Sequence, residues 1–146
     1  MKFKNIWWLA LVSLGLIGGG YALNSSQSAQ AKTRYTTKTT PVKARGTWYS
    51  RTAWAGKMVI QKHAVRWYQQ TNGKWQLAHQ LKGKKLVVRH DKRQNHAVFG
   101  FFTPKQKYDD FSYLTTEKVD GKRTAALVNL NGYTYYHTMP LARAAD

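Results

Sequence analysis

The sequence contains no cysteine, and this absence excludes two kinds of covalent attachment. Without a thiol, the chain forms no disulfide and carries no lipid on a lipobox cysteine. Small secreted eukaryotic domains more often have disulfides, whereas chains exported by Gram-positive bacteria often lack cysteine. We therefore expect a domain that is stabilised by its hydrophobic core, without covalent cross-links.

Acidic residues are scarce and unevenly placed. The chain has 24 Lys and Arg residues against six Asp and Glu residues, for a net charge of +18. The stretch from Lys32 to His90 contains 14 basic residues and no acid. This asymmetry indicates an anionic partner, such as a wall teichoic acid or a surface of anionic lipid head groups. The alternative is a surface that only keeps the protein soluble, for which a net charge of roughly 2 to 8 is enough.

One long apolar run is present, at the start of the chain. Two lysines precede the apolar run Ile6–Ile17, and the small residues Ala29 and Ala31 then form a signal-peptidase pattern. Residues 1–31 are therefore predicted to be a helical signal peptide, which makes the protein secreted, extracellular or cell-wall associated. The alternative is a retained membrane anchor, because the apolar character extends to Leu23.

Residues 32–45 lack apolar periodicity. They are rich in threonine and basic residues and contain Pro41, which predicts a disordered or extended arm. The basic side chains of this arm and those of the first hairpins are expected to bind the anionic surface. These residues are Lys32, Arg34, Lys38, Lys43, Arg45, Lys82, Lys84 and Lys85.

From residue 46 onward, short β-branched and aromatic runs alternate with turn sequences. Asn72-Gly73 and Asp120-Gly121 are typical of tight hairpins. We predict an all-β domain over residues 46–146, with about seven to nine antiparallel strands in up-and-down order. Such a meander closes into a barrel or folds over as a sandwich, because both arrangements remove exposed edges.

Strand register is ambiguous in the hairpin around Asn72-Gly73. A two-residue turn places Tyr68 opposite Leu77, whereas a three-residue turn places Trp67 opposite His79 and Val65 opposite Leu81. The hydrophobic pattern favours the second register.

The next hairpin is predicted to turn at Gly83-Lys84. This turn would pair His79 with Val88 and Leu77 with His90. The two histidines would then share one face on a diagonal of roughly 7 to 8 Å, close enough to contact one ligand.

Gly46-Thr47-Trp48-Tyr49 at the start of the first predicted strand resembles the lipocalin and calycin signature. The resemblance implies that Trp48 closes the base of a small barrel and that an arginine, Arg143 or Arg123, stacks on its indole. Residues 45–141 also resemble a group of small secreted proteins of lactic-acid bacteria, through "RGTWY" and "GYTYYHT". That second resemblance implies a fold but no activity.

Catalytic and metal-binding patterns are missing. Past residue 45 the only serines are Ser50 and Ser112, and neither lies in a G-x-S-x-G elbow. The five histidines form no H-x-H or H-E-x-x-H motif, and no cysteine can complete a metal site. Asp109 and Asp110 are adjacent, unlike the separated carboxylates of a glycosidase. We expect no enzyme activity, no cofactor, no metal and no specific nucleic-acid partner.

Three functions follow from these patterns. The main expectation is a secreted, non-enzymatic binding module that is held at the anionic cell envelope by its basic residues. The first alternative is a lipocalin-like carrier of a small apolar ligand, whose expected interior includes Leu77, Val88, Phe99 and Phe101. The second alternative is a cationic host-interaction or antimicrobial factor. The predicted ligand-binding residues are Trp48, Trp67, Trp75, His79, His90 and Tyr135.

Overall fold

A computed structural model describes residues 34–145 of the chain. The predicted signal peptide, residues 1–31, and the arm residue Lys32 lie outside the described residues. Across residues 34–145, no helix has both the length and the apolar character needed to cross a membrane.

The described part of the chain forms one antiparallel sheet and a short C-terminal helix. Its strands are β1 (Tyr35–Thr37), β2 (Gly46–Tyr49), β3 (Lys57–Gln61), β4 (Ala64–Thr71), β5 (Lys74–Lys82), β6 (Val87–Arg93), β7 (His96–Phe102), β8 (Ser112–Val119), β9 (Lys122–Asn129) and β10 (Thr134–Tyr136). The helix α1 spans Met139–Ala144, and 3₁₀ turns occupy Val42–Ala44 and Gly83–Lys85.

The strand order is β1-β6-β7-β8-β9-β10-β2-β3-β4-β5. The predicted all-β, antiparallel, up-and-down architecture is therefore confirmed, with ten strands instead of seven to nine. Closure into a barrel is not confirmed, because β1 and β5 remain as the two edges of the sheet. The sheet nevertheless folds over on itself, since the rings of Trp67 on β4 and Phe101 on β7 lie 6.3 Å apart.

Of the two alternatives for the arm, the extended one holds for β1, and the disordered one does not hold for residues 35–45. β1 pairs with β6, and the Thr40 amide donates to the Lys62 carbonyl at 3.0 Å. Thr40 and Ala44 are buried, and the Arg45 guanidinium donates to the Thr40 carbonyl at 2.9 Å. These long-range contacts order a segment whose own sequence has no strand or helix periodicity.

The β4–β5 hairpin contains both of the registers that the sequence allowed. Next to the turn, Asn72 and Gly73 adopt positive φ angles of 51° and 74°, and Tyr68 pairs with Leu77. A bulge at Ala78 then shifts the register, so that Trp67 pairs with His79. The bulge places the exposed His79 on the same face as Trp67 and leaves Leu77 52 % exposed on the other face.

The predicted pairing of His79 with Val88 and of Leu77 with His90 is wrong. β5 is a sheet edge that pairs with β4 alone, and β6 pairs with β7 and β1. Residues 83–85 form a 3₁₀ turn that redirects the chain, so this Gly-Lys sequence does not make a hairpin.

The main core lies between the folded-over parts of the sheet. Its buried members come from both parts: Ala44, Trp48, Met58, Ile60, Val65, Leu81, Leu86, Val88, Phe99, Leu127 and Tyr135. Trp48 is 0 % exposed, and its Nε1 donates to the Ala44 carbonyl at 2.7 Å. The ring stacked on Trp48 is that of His137, at 3.7 Å, rather than the predicted Arg143 or Arg123 side chain.

Helix α1 packs on the opposite face of the sheet. The Thr138 hydroxyl accepts from the Leu141 amide, and Pro140 occupies the first turn, where its missing N–H costs nothing. Ala142 is buried in a small cluster with Val119, Ala126 and Tyr136. This packing holds a helix that is too short to be stable alone.

Candidate functional site

A cavity of about 260 Å³ opens where the β2–β3, β7–β8 and β9–β10 loops meet. Each of these loops follows the end of a strand, so the sheet topology brings three distant parts of the sequence together. The cavity is lined by Trp54, Met58, Trp67, Phe101, Asp110, Ser112, Asn129, Asn131, Tyr133 and Tyr135.

Aromatic rings form one wall of this cavity. Trp67 and Phe101 meet edge to face, and the His79 ring lies 5.2 Å from Trp67. Trp54 stands at the mouth with 51 % of its surface exposed, on a loop held by the bond from Gln69 Nε2 to the Trp54 carbonyl. An exposed indole on an ordered loop gives the cavity a fixed apolar platform.

Polar side chains form the other wall, and Asn129 holds them in place. Its Nδ2 donates to Asp110 Oδ1 and to Ser112 Oγ, and its Oδ1 accepts from the Asn131 amide at 2.8 Å. Asn129 is 9 % exposed, so its buried side-chain amide holds its neighbours through hydrogen bonds. The Asp110 carboxylate and the Ser112 hydroxyl are thereby fixed at the cavity wall.

Tyr135 joins the aromatic and polar parts of the cavity. Burial, with smaller contributions from Asp110 and Tyr133, raises the pKa of the Tyr135 hydroxyl above its ordinary value. The hydroxyl therefore keeps its proton at neutral pH and is available as a hydrogen-bond donor.

A smaller space of about 200 Å³ continues from the cavity. It shares Trp54, Trp67, Phe101 and Asp110 with the cavity and extends to His79 and Tyr108. Tyr108 is 67 % exposed.

Basic residues gather near Gln61, at the end of β3 that lies away from Met58 and the cavity. There the chain segment 38–45, the β3–β4 turn and the 3₁₀ turn after β5 are tied together. The Thr40 amide donates to the Lys62 carbonyl, and the Gly83 amide donates to the His63 carbonyl, both at 3.0 Å. We call the residues carried by these segments the basic end: Lys38, Lys43, Arg45, Lys62, His63, Lys82, Lys84 and Lys85.

The structure brings most of the predicted anion-binding residues into the basic end. All of its members are exposed except Arg45, which is half-buried. Arg34, by contrast, pairs with Asp91 at 3.1 Å on the β1–β6 side of the sheet. Sequence reasoning missed Lys62 and His63, although both lie in the acid-free stretch and in a two-residue turn.

The predicted ligand-binding residues separate into four places. Trp67, His79 and Tyr135 line the cavity or its continuation. Trp48 is fully buried beneath His137, so it is part of the core and cannot contact a ligand.

Trp75 and His90 lie away from the cavity. Because of the bulge in β5, Trp75 points to the outer face, where it lies 6.1 Å from Tyr49 and beneath the Lys57 ammonium. His90 stacks on Tyr35 at 4.3 Å. His79 lies beside Trp67 and His90 beside Tyr35, so the two histidines do not share one face of a hairpin.

Several cavity residues were missed: Met58, Ser112 and Asn129 lie at or near strand ends, and the others lie in loops. Trp54 lies in a segment without strand pattern, and Asn131 precedes a glycine that reads as a simple turn. The available signal was the position of Asp110, one of six acids in a basic chain. An acid that interrupts such a strong charge bias has a structural or a binding role.

His90 gives a testable dependence of stability on pH. Thr37 Oγ1 donates to the Thr39 carbonyl and therefore accepts from His90 Nε2, and burial lowers the pKa of His90 below 6.5. The folded state favours neutral His90, so the resulting stability is present above pH 6.5 and lost as pH falls through the lowered pKa. We expect the free energy of unfolding to fall between about pH 7 and pH 5, and to fall less in His90→Phe.

Chemical denaturation at a series of pH values measures this effect. The neighbouring Asp91 carboxyl titrates in a different range: burial opposes its ionisation, but bonds from Lys92, Arg93 and Arg34 outweigh burial and lower its pKa below 3.8. An unchanged pH slope in His90→Phe would show that another group is responsible.

No metal-binding group of three His, Cys, Asp or Glu side chains is present in residues 34–145. Comparisons with family models, with curated proteins and with solved structures give no significant match for this chain.

Proposed function

We propose that this protein is a secreted, non-enzymatic binding module that the basic end holds on an anionic polymer or lipid surface of the cell envelope. The observation that carries the proposal is the joining of three sequence segments into one acid-free cluster of seven Lys and Arg residues and a histidine. Each segment alone is an ordinary basic loop, and the fold makes them one surface.

The placement of the acids supports this proposal. Asp91 pairs with Arg34 and Arg93, and Asp109 pairs with Arg93 at 2.9 Å. Within residues 34–145, these ion pairs involve no basic residue of the basic end. Asp91 and Asp109 therefore neutralise arginines outside the basic end, whose own segments carry no acid.

A polyanion would bind this end through release of its condensed counterions. Such binding weakens steeply as the salt concentration rises, because dissolved ions compete for both charged surfaces. Retention of this kind requires charge and exposure but no unique chemical contact. It therefore fits a regular phosphate polymer or a membrane surface.

We expect the triple variant Lys82→Gln, Lys84→Gln, Lys85→Gln to bind an anionic polymer on the order of tenfold to a hundredfold more weakly than the natural protein. All three side chains are exposed, so their replacement leaves the core intact. The measurement is release from cells, and binding to a purified glycerol phosphate polymer, at low and high ionic strength.

The matched control is Lys92→Gln, Lys118→Gln, Lys122→Gln. It removes the same charge from exposed positions on β6, β8 and β9. Equal weakening in both variants would mean that net charge alone is responsible, and retention that is indifferent to salt would overturn the proposal.

The carrier of a small apolar ligand is the second candidate, and the cavity is the observation that favours it. The lining differs from the expected one, because Val88 and Phe99 are packed in the core while Asp110 and Asn129 face the cavity. An occupant would have to satisfy these polar groups, since burying them without partners is costly.

Kinship with lipocalin-like barrels also belongs to this proposal. It is supported by the up-and-down strand order and by the complete burial of Trp48 in the Gly46–Tyr49 strand. Export by the N-terminal 31 residues is the remaining part of the proposal, and the sequence pattern supports it.

A further inference from the structure

The cavity presents two kinds of surface to the same small volume. Trp67, Phe101 and Tyr135 supply apolar ring surface, while Asp110 and Ser112 supply hydrogen-bonding oxygens to the same cavity. A ligand that fits must therefore have apolar faces and several hydroxyl or amide groups around its edge.

The polar wall is prepared for a ligand with hydroxyl groups. Asn129 Nδ2 donates a hydrogen bond to Asp110 Oδ1. Asp110 Oδ2 accepts no hydrogen bond within residues 34–145. Ser112 Oγ accepts from Asn129, which leaves its own proton to donate. The wall therefore offers a strong carboxylate acceptor and a hydroxyl donor side by side.

Three other ligand classes fit less well. A fully apolar ligand would strip water from Asp110 and Asn131 without replacing its hydrogen bonds. An anion would be repelled by the Asp110 carboxylate. A small cation would use Asp110 and the rings, but the Ser112 hydroxyl and the Asn131 amide would lack a matching partner.

We propose that this cavity binds a neutral saccharide, with one sugar ring between the aromatic and polar walls and a second unit against Trp54 and Tyr108. A pyranose ring has an apolar C–H face that stacks on aromatic side chains and a rim of hydroxyls that bond to carboxylate, amide and hydroxyl groups. The cavity of about 260 Å³ holds one such ring, and the adjoining space of about 200 Å³ leads to the two exposed aromatic residues.

This inference goes beyond the proposed function, because it assigns a second site that binds an uncharged ligand. The basic end binds charge, and its binding falls with salt. A neutral saccharide carries no charge, so its binding at the cavity is expected to be insensitive to salt. The proposal for each site can therefore be confirmed or overturned independently of the other.

The test is calorimetry and saturation-transfer NMR on the full mature chain, using N-acetylglucosamine oligosaccharides and maltotriose as saccharide probes. Tetramethylammonium and laurate are the cationic and apolar comparison probes. We expect binding of at least one saccharide, unchanged between low and high salt and retained in the triple Lys82, Lys84, Lys85 variant.

Two substitutions assign the binding to the cavity. Trp54→Ala removes an exposed ring and should weaken saccharide binding roughly tenfold. Asp110→Asn keeps an acceptor for Asn129 but loses the charge, and should weaken binding roughly tenfold or more. Tyr35→Ala, which removes a ring that is 53 % exposed on β1, is the matched control and should bind normally.

Three results would overturn the inference: no saccharide binding, binding of tetramethylammonium or laurate alone, or saccharide binding that Trp54→Ala and Asp110→Asn leave unchanged. Loss of salt-sensitive retention with intact saccharide binding would count only against the proposed function.

Discussion

Replacing Trp48 by alanine is expected to lower the free energy of unfolding by about 3 to 5 kcal/mol, the range for large aromatic residues in cores. The indole is 0 % exposed and packs against residues from both folded-over parts of the sheet. The substitution also leaves the Ala44 carbonyl without the donor that it has at 2.7 Å. Denaturation in urea, followed by far-ultraviolet circular dichroism, measures the loss.

Trp54→Ala is the matched control for this experiment, because Trp54 is 51 % exposed and lies in a loop. Its effect on the free energy of unfolding should stay within about 0.5 kcal/mol, as at most exposed positions. A similar small loss in Trp48→Ala would show that this indole does not close the core.

The second large effect is expected at Gly100, in the middle of β7. A Cβ atom here would lie 2.4 Å from the Asp110 carbonyl oxygen and 2.5 Å from Phe102 Cε2. The β7–β8 loop passes too close for any side chain, and valine would add two more carbons. We expect Gly100→Val to cost at least about 3 kcal/mol, at the upper end of the range for overpacked cores.

The same substitution should disturb the cavity, because the displaced loop carries Asp110. Denaturation measures the stability, and NMR of the Asn129 side-chain amide reports the position of its acceptor. Ala97→Ser, at an exposed position of the same strand, should change neither. Native-like stability in Gly100→Val would mean that the loop does not lie against β7.

The sequence predicted the tight hairpin turns, because the residues of the turn itself determine their conformation. Asn72-Gly73 and Asp120-Gly121 turn as expected, because both central residues of each turn adopt the positive φ that these sequences tolerate. The 3₁₀ turn at 83–85 was not predictable in this way. Lys-Gly-Lys suits a hairpin equally well, and the choice depends on which strands β5 and β6 find as partners.

The bulge in β5 shows why a single register could not be derived. The two-residue turn favours one pairing and the burial of Trp67 and Leu81 favours the other, so the strand satisfies both by accommodating Ala78 as an extra residue. Trp75 and Leu77 consequently face outward. A pattern that assumes strict alternation places them inside.

The two candidate sites differed in how far the sequence could predict them. Charge bias is a property of composition, so most residues of the basic end were identified before their positions were known. The cavity depends on three loops that meet only in the folded chain. Asp110 and Asn129 are separated by 19 residues and are joined by a side-chain bond that has no sequence signature.

An NMR titration of the protein with a glycerol phosphate polymer tests most directly whether the basic end binds a polyanion. We expect the largest amide shifts in residues 38–45, 62–63 and 82–85, and we expect added salt to reverse them. Shifts centred on the β8–β9 hairpin or on the cavity loops, or shifts that persist at high salt, would contradict this expectation.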